Sequence, residues 1–152
     1  MFGRLEDLIN NTISLEVNRV MQDIFKSDDL LTAIIVDLNT EDQLFRGTDA
    51  TGKTLSSIGG AYSFRTVEEK RRKGQPFDRV TLKDTGDFYK SFNVDIQPKF
   101  IQIVADFFKE NQDLRERWGD NLAGLDDKSR EELKEELIPR LTEYVTRQMF
   151  HA

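Results

Sequence analysis

The chain has 152 residues and a net charge of −6, with 38% hydrophobic and 33% charged residues. We expect one soluble domain with a real core. The absence of Cys excludes disulfides, thiolate zinc sites and a cysteine nucleophile. The single His, His151, lies beside the C-terminus, which argues against a histidine-based metal site or triad. We therefore expect no resident metal or cofactor. No apolar run approaches the length of a membrane span.

The charge is unevenly distributed along the chain. Between Lys53 and Lys99 there are ten Lys and Arg residues against six Asp and Glu residues, a balance of +4. Because the whole chain carries −6, the remaining flanks carry −10. This asymmetry is typical of a protein whose middle and ends present different surfaces to partners.

The N-terminal region has the periodicity of an amphipathic helix over residues 2–26. Its apolar residues recur every three or four positions: Leu5, Leu8, Ile9, Ile13, Val17, Val20, Met21, Ile24 and Phe25. Asp28 and Asp29 then favour a new helix start. The periodicity of the short apolar stretch Leu30–Leu38 does not distinguish a helix from a buried strand. We favour a helix for its first half.

The middle of the chain, residues 41–80, is predicted to be rich in loops. We expect an extended Glu41–Arg46, followed by glycine-containing loops at 47–51 and 59–60. Thr66 is predicted to cap a short helix that ends near Lys73, where Gly74 is a suitable C′ residue.

The segment Thr81–Phe92, called the central segment below, begins with a polar turn at Asp84, Thr85 and Gly86. A short helix should follow, with Phe88 and Phe92 on one face. Alternation from Phe92 to Gln97 predicts a half-buried strand, and the turn Pro98-Lys99 predicts a hairpin over residues 92–105.

The C-terminal third is predicted to be mainly helical. We expect a helix over 106–117, a loop around Gly119–Gly124, and a last helix over 128–150 capped by Asp126 or Asp127. Its apolar face comprises Leu133, Leu137, Leu141, Tyr144, Val145 and Met149. Pro139 either kinks this helix or separates two helices. The predicted fold is a single α+β domain spanning 1–152, with a long N-terminal helix, a small antiparallel sheet and a C-terminal helix.

One string matches the phosphate-loop pattern G-x-x-x-x-G-K-[ST], with Gly47, Gly52, Lys53 and Thr54 at its defining positions. Nucleotide binding is therefore an alternative function. The context argues against it, because the preceding stretch is half polar and Gly59-Gly60 ends any helix within two turns. The opposing interpretation is a surface loop whose glycines serve turns.

Two further groups of charged residues are candidates for chemistry. Asp84, Asp87 and Asp95 could suggest carboxylate catalysis, although capping explains the first two. The basic residues Lys70, Arg71, Arg72, Lys73 and Arg79 are candidates for contact with DNA or an acidic partner, and a nucleic-acid-binding module is a second alternative. Solubility and the helix dipole also explain this run.

One ordered set of residues spans the central segment and the approach to the last helix. We call these residues the signature positions: Leu82, Asp84, Thr85, Gly86, Phe88, Ser91 and Phe92, followed by Trp118, Gly119, Gly124 and Leu125. In their order and spacing they resemble bacteriophage virion-morphogenesis and tail-completion proteins. The resemblance covers residues 41 to the C-terminus. One departure is the sequence Trp-Gly-Asp-Asn-Leu-Ala before the last turn, where many relatives have an aromatic, proline-rich approach.

The resemblance implies a non-enzymatic virion protein, made in the host cytoplasm, with no catalytic residues, metal or cofactor and no membrane contact. It would act in head–tail joining or tail completion, as part of a ring in the neck or tail. Its partners would be further copies of itself and other phage neck, portal or tail proteins, with packaged DNA in the channel as a further candidate. We expect the hairpin and the 47–60 loop to carry the contacts between subunits or with a neighbouring ring. Head-side and tail-side positions both stay open.

Overall fold

The computed structural model describes residues 16–150. Helix α1 occupies 16–27 in this part, and α2 spans Asp29–Asp37. Asp28 caps α2, because its Oδ1 accepts a hydrogen bond from the Leu31 N–H at 3.1 Å. The predicted N-terminal helix is thus confirmed from residue 16 onward, and residues 2–15 of that prediction lie outside the described part.

Helix α2 continues directly into a π-helix, Leu38–Leu44. The prediction of an extended Glu41–Arg46 was therefore wrong. The polar residues of this helical region do not all face solvent, because Asn39 and Gln43 are turned inward and are completely buried. Buried amides need partners for both their donor and acceptor atoms, and a distant segment supplies these.

That distant segment is 122–126, which the two amides hold through four hydrogen bonds. Asn39 donates to the Leu122 carbonyl at 3.0 Å and accepts from the Gly124 N–H at 2.8 Å. Gln43 donates to the Gly124 carbonyl at 2.9 Å and accepts from the Asp126 N–H at 2.7 Å. We call this arrangement the amide clamp. It joins residues more than 80 positions apart and so fixes the base of the last helix against α2.

Two short helices follow in the loop-rich middle, α3 (Leu55–Gly59) and α4 (Phe64–Arg72). Ser63, rather than the predicted Thr66, caps α4, since its Oγ accepts from the Thr66 N–H at 3.2 Å. Gly74 ends this helix at φ +66, as predicted. The Gln75 N–H donates to the Lys70 carbonyl at 2.8 Å and completes a Schellman motif.

The central segment contains α5 (Asp87–Lys90) and leads into a hairpin of β1 (Asn93–Ile96) and β2 (Ile101–Val104). The strands are antiparallel, with Asn93 opposite Val104 and Ile96 opposite Ile101. The predicted hairpin is confirmed, because alternate residues face the core as the pattern required.

The predicted helix over 106–117 was wrong in its first half. A second hairpin of β3 (Phe108–Lys109) and β4 (Gln112–Asp113) occupies that stretch, and only Leu114–Trp118 is helical, as α6. Its two turn residues, Glu110 and Asn111, both have positive φ, as a type I′ hairpin turn requires.

The last helix, α7, spans Asp127–Phe150 and continues through Pro139. Asp126 provides its cap, with Oδ1 accepting from the Ser129 N–H at 2.9 Å. Leu133, Leu137 and Tyr144 pack on the core, whereas the rest of the predicted apolar face is exposed: Leu141, Val145 and Met149.

The core consists of two neighbouring clusters of buried side chains. One lies around Phe88, Phe92 and Trp118, and the other joins α1, α2, Val94 and Leu125. The predicted α+β class is confirmed, with two-stranded antiparallel sheets and a long C-terminal helix. Among residues 16–150, no helix combines the length and apolarity needed to cross a bilayer.

The amide clamp predicts a large effect of Gln43→Met, which keeps the approximate shape of the side chain and removes both hydrogen bonds. The Gly124 carbonyl and the Asp126 N–H would lose their buried partner, so we expect a loss of about 3 kcal/mol in the free energy of unfolding. Urea denaturation followed by circular dichroism measures this loss. The matched control is Gln112→Met at an exposed position, which should change stability by less than about 0.5 kcal/mol. Equal stability of both variants would contradict the role of the clamp.

Candidate functional site

A cleft of about 180 Å³ lies between α4 and the start of the central segment. We call it the lysine cleft, because four lysines contribute to its lining: Lys70, Lys73, Lys83 and Lys109. The other residues that line it are Tyr62, Thr66, Glu69, Leu82, Asp84 and Leu114. The cleft therefore combines residues from the predicted basic run with residues from the predicted signature.

The backbone at the inner end of the cleft is held in an unusual conformation. Leu82 has φ +57, a left-handed value that is uncommon for a residue with a side chain. The Tyr62 Oη accepts hydrogen bonds from the Thr81 N–H at 3.0 Å and the Leu82 N–H at 3.2 Å. Tyr89 donates to the Thr81 carbonyl at 2.6 Å. Burial raises the pKa of Tyr89 well above its usual range, so its hydroxyl remains a donor.

Lys70 is the least exposed of the four lysines, with only 6% of its surface accessible. Its ammonium donates to the Lys83 carbonyl at 2.7 Å and lies 5.0 Å from the centre of the Tyr62 ring. Both partners are uncharged groups. The strained conformation at Leu82 thus directs the following carbonyl toward a buried cation.

Asp84 lies at the rim of the cleft and is bound by Lys73 at 2.6 Å. This hydrogen bond lowers the pKa of Asp84, with smaller contributions from the charges of Lys109 and Lys70, and it raises the pKa of Lys73. The carboxylate is therefore ionised and engaged, which leaves it poorly suited to act as a general acid.

The other basic residues of the predicted contact surface are dispersed. Arg71 pairs with Glu68 at 3.0 Å and lies over Phe77, and Arg79 donates to the Phe45 carbonyl at 2.7 Å. Arg72 is exposed. The basic residues therefore lie partly in the cleft, partly in local contacts and partly in solvent. Among the described residues they do not form one continuous basic face.

The signature positions around Gly86 form a turn. Gly86 has φ +88, and the Thr85 hydroxyl donates to Asp87 Oδ2 at 2.7 Å. Phe88 and Phe92 are both buried and pack edge to face, with ring centroids 5.0 Å apart. The Ser91 Oγ accepts from the Asp106 N–H at 3.0 Å and so ties the start of the hairpin to its exit.

The later signature positions lie at two other places in the structure, where they contribute to packing. Trp118 is buried against Gly59, where an added Cβ would lie 2.4 Å from the indole ring. Gly119 follows with φ +81. Gly124 and Leu125 belong to the segment held by the amide clamp, which lies apart from the lysine cleft.

The Gly47–Thr54 string forms a closed turn around its own Asp49. Asp49 is buried, and its Oδ1 accepts from the N–H groups of Thr51 at 2.9 Å and Lys53 at 3.1 Å, and from the Thr51 hydroxyl at 2.7 Å. A phosphate loop directs such N–H groups at its ligand. Here a carboxylate occupies them, a π-helix replaces the required strand, and α3 has only five residues. This geometry does not favour the nucleotide-binding alternative.

Several residues have roles in the structure that the sequence did not predict. Asn39 and Gln43 carry a weak signal, since amides within an otherwise apolar helix suggest buried polar contacts. Tyr62, Lys83 and Lys109 come from three separate segments, and their meeting at one cleft depends on the tertiary fold.

The geometry at Gly86 predicts that Gly86→Val and Asp87→Asn have very different effects. Valine at φ +88 is strained, so we expect a loss of about 2 kcal/mol in the free energy of unfolding. Asp87 is exposed and asparagine retains an oxygen for the Thr85 hydroxyl, so its substitution should have little effect on stability or function. Thermal denaturation compares the two variants. A well-folded Asp87→Asn protein that has lost its function would contradict the non-catalytic role.

No family model matches the chain, and neither the curated proteins nor the solved structures provide a match.

Proposed function

We propose that the protein is a structural subunit of a tailed-phage particle that acts in head–tail joining or tail completion. It would form part of a ring in the neck or tail, together with other phage neck, portal or tail proteins. The proposal rests on the ordered sequence resemblance described above. The structural observation that best supports it is a two-stranded hairpin in which the outer edge of β2 is free among the described residues.

The outer edge of β2 is suited to contact with another chain. Apart from the ladder with β1, no hydrogen bond of the described residues uses the backbone of Ile101–Val104. An unpaired edge is a template for strand addition from a neighbour. Two-stranded sheets are also only marginally stable alone, so an added strand would stabilise the hairpin.

Exposed aromatic side chains lie at both hairpins. Phe100 lies at the hairpin turn with 55% of its surface exposed, and Phe108 in the second hairpin is exposed to 64%. Aromatic residues are enriched at the energetic centres of protein interfaces. The hairpin therefore offers both backbone and apolar contacts to a neighbouring subunit.

A ring follows if the hairpin of one subunit binds a different surface of the next. Such heterologous contacts form a closed ring when the rotation from one subunit to the next is a whole-number fraction of 360°. The 47–60 loop is the second surface proposed for these contacts, and it is internally well ordered by Asp49. Preorganised loops bind with a smaller loss of conformational entropy.

A non-enzymatic role agrees with the contacts of the two carboxylates in the central segment. Asp84 is bound by Lys73, and Asp87 accepts from Thr85. Both therefore stabilise the turn that precedes the hairpin. In the proposed function, the central segment positions the hairpin, which contacts a neighbouring subunit.

The hairpin contact predicts that Phe100→Asp weakens self-association. A charge at the hairpin turn would have to lose water on association, while the exposed position leaves the fold intact. We expect the unsubstituted protein to show a discrete oligomeric mass in light scattering and Phe100→Asp to shift it to the monomer.

The control is Phe64→Asp, which makes the same substitution at a residue with 82% exposure outside the hairpin and the 47–60 loop. An acidic residue in the first turn of α4 is compatible with the helix dipole. This variant should keep the oligomeric mass. A monomeric protein at millimolar concentration, or equal loss of association in both variants, would contradict the proposal.

A further inference from the structure

The lysine cleft contains two cations without a carboxylate partner. Lys73 pairs with Asp84, Lys83 with Glu41, and the rim residue Glu69 with Arg65. Lys70 and Lys109 have no ion pair among the described residues. Asp84 lies close enough to feel the charges of both lysines, but it forms its ion pair with Lys73. Two lysines without an ion pair at one cleft are unexpected in a chain with a net charge of −6.

Lys70 is the more informative of the two, because it is buried without a counter-ion. A buried charge is costly unless it is paired and hydrogen-bonded. Its close hydrogen bond, to the Lys83 carbonyl, uses one of three ammonium donors, and the Gln75 Oε1 lies 3.5 Å away. An anion in the cleft would supply the missing charge and accept a remaining donor.

Tyr62 provides a further donor on the same surface. Its Oη accepts from two backbone N–H groups, and its own O–H has no acceptor among the described residues. The left-handed Leu82 presents these N–H groups to the ring hydroxyl and fixes the inner end of the cleft. The donors are therefore held in place before any ligand arrives.

The size of the cleft limits the ligand. Its volume of about 180 Å³ is below the roughly 300–1,000 Å³ of pockets that enclose drug-sized molecules. A phosphate group fits this volume, whereas a whole nucleotide does not. Two ammonium groups without an ion pair match the charge of a phosphate dianion.

We infer that the lysine cleft binds a phosphate dianion through Lys70, Lys109 and the Tyr62 hydroxyl. The ligand is inorganic phosphate or a terminal phosphate monoester whose remainder extends into solvent. This inference is independent of the ring, because it depends only on groups within one chain.

Calorimetric titration of the full chain with inorganic phosphate at about pH 8 tests the inference, because phosphate is then mainly a dianion. We expect saturable binding, and acetate should not reproduce it. Lys109→Met should weaken binding by about tenfold or more, since it removes one charge-assisted contact from a partly exposed position. Lys26→Met removes an exposed lysine on α1, away from the cleft, and should leave the affinity unchanged.

A second variant should change the affinity in the opposite direction. Asp84→Asn removes a carboxylate from the rim and releases Lys73, so we expect tighter phosphate binding. A purely structural role of the lysines would not produce opposite effects in Lys109→Met and Asp84→Asn. Lys70→Met is less suitable, because substitution of a buried residue also perturbs folding.

Competition with short oligonucleotides distinguishes the source of the phosphate. Displacement by a 5′-phosphorylated strand and not by its unphosphorylated equivalent identifies a terminal monoester, and no displacement by either identifies free phosphate. The inference is overturned by the absence of saturable binding up to about 10 mM phosphate. It is also overturned by equal losses in Lys109→Met and Lys26→Met. Displacement of phosphate by the unphosphorylated strand would overturn it too, because that result would indicate a general attraction between the lysines and the DNA backbone.

Discussion

The amide clamp is the contact on which the rest of the fold depends. Two completely buried amides on the π-helix hold the backbone of residues 122–126, and the last helix starts immediately after that segment. The wider π-helical turn places Asn39 and Gln43, four residues apart, against the same stretch of backbone. Because every polar atom in this contact is paired, it specifies one position for the base of α7 where apolar packing alone would permit several.

A second polar contact organises the opposite part of the molecule. Tyr62 and Tyr89 bind the backbone on either side of Thr81, and this fixes the left-handed Leu82. The fixed backbone at Leu82 sets the direction of the chain, which then passes through Gly86 into the hairpin. The same strained backbone directs a carbonyl at Lys70. The conformation that orients the hairpin therefore also builds the lysine cleft.

Local sequence patterns correctly predicted those elements that are determined by residues close to one another in the sequence. Alternation from Phe92 to Ile96 revealed the hairpin, Gly74 marked the end of α4, and Asp126 marked the start of α7. The errors occurred where distant partners decide the structure. Glu41–Leu44 is helical because Gln43 binds residues 81 and 83 positions away. Residues 108–113 form a hairpin through a two-residue turn without glycine, so the usual turn signal is missing. The cleft required lysines from three segments and could not be assembled from spacing alone.

The proposed ring is tested most directly by electron microscopy of the purified protein at high concentration. Closed rings of uniform diameter with an open centre would support heterologous contacts through the hairpin edge. Open filaments, or monomers alone in fields where the protein is shown to be folded, would contradict the proposed assembly.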